Sequence, residues 1–272
     1  MKMKLLTLAR WAFTALFLAI TLVPFLWLVL ASFKSSPELF SSPFKLPQVW
    51  HGGNYATVLH SHPIPKYFLN SLIVAVLSTL LAVMVATLVS YAFMFKFRFK
   101  STWLLVITFG IFIPTNAFLV PYYFIVNWLG LYDTLLGVAL VYAGVSLPLS
   151  IMIVKTYMDS IQKEILEASF IDGASVHRTF FRVILPISYP GMTTASIFLM
   201  ITAWNELLFA TLLTQSDGTK TLQVAIRFFL TTFSADYPVA FAAMVIAVVP
   251  TVVIYSLLSE KIIGGLTAGA VK

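Results

Sequence analysis

The sequence contains no cysteine, which excludes disulfides and thiolate metal sites and leaves the redox compartment open. Charge is also scarce. Asp, Glu, Lys and Arg make up 10% of the residues, against about 25% in an ordinary soluble domain. So few charges cannot cover a water-facing surface at 272 residues, so the bilayer is the expected solvent. A phosphate-binding GxxxxGK[ST] loop is missing, because no glycine is followed by lysine. HExxH and GxSxG are missing too, and His51, His60, His62 and His177 form no metal-ligand spacing. His60 and His62 read as part of a solvated loop. No metal, cofactor or catalytic site is therefore expected on this chain. The net charge of +7 is scattered, with no basic patch of the nucleic-acid kind.

What is abundant is oil: 60% of residues are hydrophobic and the mean hydropathy is +0.96. A helix crosses the roughly 30 Å hydrocarbon core with about 20 residues. Six uncharged apolar runs meet that length, at about Trp11–Ser32, Tyr67–Phe95, Thr102–Val126, Thr134–Thr156, Ile187–Leu213 and Pro238–Ser259. The first follows Lys2, Lys4 and Arg10 and exceeds the roughly 7–15 residues of a signal-peptide core. It is read as a retained span. Pro114, Pro121, Pro148 and Pro250 predict breaks or kinks within the runs.

Lys and Arg in the segments between runs set orientation. Twelve lie in the N-terminus, the KFRFK connection (96–100), the 155–183 segment and the C-terminus. Five lie in the alternate segments: Lys34, Lys45, Lys66, Lys220 and Arg227. The expectation is an all-α membrane protein of six transmembrane helices with both termini cytoplasmic. The external loop 33–66 is rich in Pro, Ser and His, and SDGT marks a turn in the loop near 214–237.

Glu206, in TAWNELLFA, falls inside the fifth run. A carboxylate at a span's centre costs about 2.5–3.5 kcal/mol, so such residues face a bundle interior or an aqueous cavity. Asn205 and Glu206 therefore either line a polar pathway or form an interhelical hydrogen-bond clamp.

The charged stretch EASFIDGASVHRTFFRVILP, Glu167 to Pro186, interrupts the apolar chain. Asp159 or Ser160 can cap a helix starting near Ile161. Ile161, Ile165 and Ala168 form an apolar stripe, and Glu164 and Glu167 lie on neighbouring positions. Gly173 fits the left-handed position that ends a helix. Ser175 can cap a second short helix carrying Val176, Phe180 and Val183, closed by Leu185-Pro186. The first helix is acidic, with Asp159, Glu164, Glu167 and Asp172, so anionic lipid repels it and a protein partner fits better.

This stretch resembles the EAA loop of permease subunits of ATP-binding-cassette importers: Glu-Ala-Ala, three residues, Gly, nine residues, Ile-x-Leu-Pro. The chain offers Glu167-Ala168-Ser169, Gly173, and Val183-Ile184-Leu185-Pro186. It departs at Ser169 and Val183. The IDGAS run resembles carbohydrate-type permeases of the maltose-permease kind. LASFKSSPELF, NSLIVAV, GLYDTLLG, AWNELLFA and the tail GLTAGAVK also resemble that family, in order, over nearly the whole chain.

The resemblance implies a single transmembrane domain (1–272) containing a coupling loop (159–186), in a prokaryotic cytoplasmic (inner) membrane. It implies a sugar, here oligosaccharide, importer working by alternating access. Partners would be a second homologous permease subunit, two ATPase subunits carrying ATP and Mg, and an extracytoplasmic solute-binding protein. Residues implied in ATPase coupling are Glu164, Glu167, Ala168, Ser169, Asp172, Gly173, Leu185 and Pro186. The GLTAGAVK tail is expected to reach the ATPases. The rival reading is a self-sufficient secondary carrier or channel. Such a carrier calls for inverted repeats and midplane ion sites, and the sequence shows a single buried acid and no repeat.

Overall fold

The computed structural model describes residues 2–232 and 236–270, all helices and connections, with no strand among the described residues. The chain divides into two compact units, Met1–Pro65 with Ala225–Pro250, and Lys66–Val224 with Thr251–Lys272.

In the first unit, α1 (Lys2–Ser32) is followed by α2 (Ser36–Ser41) and α3 (Gly53–Ser61). From Arg10 to Leu30, α1 is exposed or half-buried in this chain alone, as suits a helix covered by lipid or another subunit; only Ala31 and Ser32 at its end are buried. Trp27 anchors its end, stacking edge-on to Phe241 at 5.6 Å and donating its indole N–H to the Pro43 carbonyl at 2.9 Å. Lys34, which counts as a loop charge in the sequence, is fully buried. Its ammonium donates to the carbonyls of Ser42 (2.6 Å) and Pro43 (3.1 Å) at the end of α2. That is the negative end of the helix dipole. Asn54 closes the turn by donating to the carbonyls of Ser32 and Lys34.

The second unit opens with α4 (Ile64–Ala92), then α5 (Lys100–Phe112) and α6 (Leu119–Trp128). The third apolar run is not one straight helix: a 3-10 turn at Thr115–Phe118 intervenes and the two halves meet at 96°. Pro114 causes the break. It has no N–H to donate and holds Ile113 extended, at φ −76° and ψ 124°. Next come α7 (Leu135–Asp159), α8 (Lys163–Ile171), α9 (Val176–Thr179), a π-turn at Phe180–Ile184, α10 (Leu185–Ile187) and α11 (Tyr189–Asn205). A six-residue α12 (Leu208–Leu213) follows, so the fifth run is also broken, after Asn205.

Small residues let the helices of this unit approach closely, the usual device where lipid removes the hydrophobic drive for packing. Ala82, Ala86, Val154, Met158, Ala195 and Leu199 form its core. Gly191 is required there: a Cβ at that position would lie 2.6 Å from the Tyr157 side chain. The chain ends with α13 (Leu222–Thr232) and α14 (Tyr237–Ala270). Val271 and Lys272, the end of the GLTAGAVK tail, lie outside the described residues. Three helices are long and apolar enough to cross a membrane, Arg10–Ser32, Ile64–Ala92 and Leu135–Asp159, and up to five spans result if each bent pair counts as one.

Candidate functional site

The charged stretch folds as a two-helix finger. Its first helix, α8, starts at Lys163 rather than near Ile161. Asp159 does not cap it, because Asp159 ends α7 and pairs with Lys155 one turn earlier. Gln162 takes the cap position without a side-chain bond. The other end is as expected. Gly173 has φ +75°. Its N–H donates to the Phe170 carbonyl and the Ala174 N–H to the Ser169 carbonyl, both at 3.0 Å. That pair of bonds is a Schellman cap. Ser175 caps α9, accepting from the Arg178 N–H at 3.3 Å.

Burial sorts the residues named from the sequence. Ile161, Leu166 and Ser169 face inward, whereas Ala168 is exposed, so the buried stripe runs one position off the expected one. Glu164, Glu167, Ala168, Asp172 and Gly173 are exposed together, with Ile171 beside them at 86% exposure. This is an acidic rim around an apolar tip. Leu185 and Pro186 lie apart from it, at the base of the finger, where the chain bends by 69° into α11.

Ser169, a departure from the family pattern, does not face outward. Its hydroxyl donates to the Leu166 carbonyl at 2.7 Å and lies 3.0 Å from the fully buried Thr179 hydroxyl. It ties α8 to α9. The finger is anchored on α4 by Tyr91, whose hydroxyl donates to the Val176 carbonyl at 3.0 Å and whose ring packs on Phe180 and Phe95. Nothing in the sequence marks Tyr91, since an aromatic at a span's end is common anyway.

Glu206 sits at the break between α11 and α12, not inside a continuous helix. Its Oε1 accepts from the N–H groups of Leu208 (2.8 Å) and Phe209 (3.0 Å), and its Oε2 from Ala210 (3.1 Å). It thus serves α12 as a cap. The Glu206 carbonyl accepts from the Tyr142 hydroxyl at 3.3 Å. Asn205 points elsewhere, donating back to the Ile201 carbonyl. Beside Glu206 lies a cavity of about 260 Å³, reaching the other helix break at Thr115 and Asn116.

A second cluster escaped the sequence reading. Asp133 accepts from the N–H groups of Gln215 (2.8 Å) and Ser216 (3.1 Å) and from the Thr219 hydroxyl. Burial raises its pKa, but these donors outweigh that and hold it down at about 2. Asn70 donates to the carbonyls of Gly218 and Lys220, and Ser71 accepts from the Leu222 N–H. The loop at 214–221 is therefore clamped from the second turn of α4 and from the residue before the N-cap of α7. The signal lay in NSLIVAV and GLYDTLLG, the first carrying Asn70 within the opening turns of α4 and the second placing Asp133 just before α7.

Residues 78–263 match the family described as binding-protein-dependent transport system inner membrane component. The chain is 31% identical over 263 residues to the probable ABC transporter permease protein YurM of Bacillus subtilis (strain 168), covering 96% of this chain and 87% of that one. It is 33% identical over 262 residues to the diacetylchitobiose uptake system permease protein NgcG of Streptomyces coelicolor, covering 95% and 86%. Among solved structures, a bacterial ABC transporter involved in import of the acidic polysaccharide alginate shares the fold. Its TM-score is 0.81 at 20% identity, with 94% of this chain and 96% of that one covered.

Proposed function

The chain belongs to the binding-protein-dependent transport system inner membrane component family, and from that premise we propose that it is the sugar-translocating permease subunit of an ATP-driven importer. It forms half of the translocation pathway and carries no catalytic residues of its own. A second homologous permease completes the pathway, two ATPase subunits bind ATP and Mg, and a solute-binding protein delivers an oligosaccharide. The chain acts as one multi-pass transmembrane domain, with six spans and both termini in the cytoplasm. The twelve-to-five division of Lys and Arg supports that orientation.

The observation that carries this reading is the finger at 163–187. An exposed apolar Ile171 ringed by Glu164, Glu167 and Asp172 is a surface for a protein, not for anionic lipid. Its Schellman cap and the Ser169–Thr179 tie make it stiff enough to pass on a push. ATP binding closes the ATPase pair and moves the finger. The bent base at Leu185-Pro186 carries that motion into α11, and the cavity changes its access.

In the assembled transporter, Gly173→Pro and Glu167→Lys should abolish substrate-stimulated ATP hydrolysis while the chain still inserts. Normal coupled uptake by both variants would overturn the assignment of 159–186 as the coupling loop.

A further inference from the structure

The cavity beside Glu206 has a composition the importer reading does not use. It lies between the break at Pro114 and the break at Glu206, with Tyr142, Ser146 and Thr202 between them. Three of its polar side chains, Thr115, Asn116 and Ser146, hold no side-chain hydrogen bond with any described residue. Glu206 Oε2 accepts one backbone N–H and keeps further acceptor capacity. Phe198 and Phe209 add apolar wall. Unengaged hydroxyls and an amide, one carboxylate and an apolar face suit a polyhydroxylated ring. At about 260 Å³ the cavity takes one ring rather than a chain.

Charge narrows the ligand. Among the described residues, no lysine, arginine or histidine lines the cavity, and Glu206 brings a negative charge. A carboxylated or sulfonated sugar would meet repulsion there with no cation among the lining residues to offset it, and such a mismatch discriminates against it.

Resting on the permease reading above, we infer that this subunit itself holds a subsite for a single neutral glycosyl unit, built by Asn116, Thr115, Ser146 and Glu206, that disfavours acidic sugars. The break in each helix is what opens the space. Continuous helices would run through 113–118 and 206–207 and present no such side chains together.

The absence of cysteine makes a direct test available. Thr115→Cys and Ser146→Cys are introduced singly into the full membrane-embedded transporter. Each is labelled with N-ethylmaleimide in the presence of maltose, diacetylchitobiose or an alginate trisaccharide. A neutral sugar that is taken up should slow labelling at both positions several-fold, and the alginate trisaccharide should not. The control Thr193→Cys, in the apolar groove between α4 and α11, should label at one rate throughout. Asn116→Ala should raise the apparent KM for the neutral sugar by about tenfold, the loss of one good hydrogen bond. Unchanged labelling in a complex that still takes sugar up would overturn the subsite and leave the permease reading standing. Equal protection by the alginate trisaccharide would overturn the preference for neutral rings. A complex that takes up none of the three sugars would sink the sugar-permease reading and the subsite with it.

Discussion

Ser169 and Asp133 show how single side chains hold the finger and the 214–221 loop in place. Where the family pattern has alanine, Ser169 fills its place with a hydroxyl that Thr179 answers. Removing one member leaves a buried hydroxyl without its partner, at about 1–3 kcal/mol. Ser169→Ala should therefore destabilise the finger, and Ser169→Ala with Thr179→Val should recover most of the loss. Chemical denaturation of the purified chain in detergent, analysed as a double-mutant cycle, measures this. Asp133 makes a pH-dependent lock. Its pKa falls from 3.8 to about 2 on folding, so the lock is at full strength above pH 3.8. It weakens as pH falls from 3.8 through about 2. Amide exchange at Gln215 and Ser216 should accelerate over that window, and Asp133→Asn should abolish the dependence.

At the scale of elements, the breaks matter more than the helices. α12 has only six residues, too few to persist alone. It stands because Glu206 meets three of its N–H groups and because Phe209, Ala210 and Leu213 are buried. Glu206→Ala should cost about 1–3 kcal/mol and speed amide exchange at Leu208–Ala210. Glu206→Gln keeps an acceptor and should lose much less. Local punctuation was legible in the sequence. Gly173 and Ser175 act on neighbours within a few residues, and Pro114 acts on the residue before it. The break at Glu206 was not legible, since no proline or glycine marks it within TAWNELLFA and the run stays apolar on both sides. The Ser169–Thr179 tie was hidden for another reason: it depends on how α8 folds back on α9, which composition does not specify. Lys34 misled the count of loop charges because burial is invisible to a tally.

For the whole molecule, α4 links two working ends. Asn70 and Ser71 clamp the 214–221 loop, and Tyr91, some 21 residues on and about 30 Å away along the axis, holds the finger. One helix therefore joins the finger to the clamped loop at the far end of the second unit. Tyr91→Phe keeps the ring packing but loses the bond to Val176. It should lower coupled uptake more than it lowers ATP hydrolysis, read as transported sugar per ATP consumed. The orientation has its own check. In the cysteine-free background, Glu164→Cys should react with an impermeant maleimide only when the cytoplasmic face is open to it.

The clamp on the 214–221 loop also bears on how the protein is made. Asn70 precedes its partners Gly218 and Lys220 by 148 and 150 residues, and Asp133 precedes Gln215 by 82. Ribosomes extend the chain from the N-terminus, so α4 and α7 enter the membrane long before anything exists for these side chains to hold. A nascent chain halted before Thr214 carries Asn70 and Asp133 without the backbone groups they hold in the finished fold.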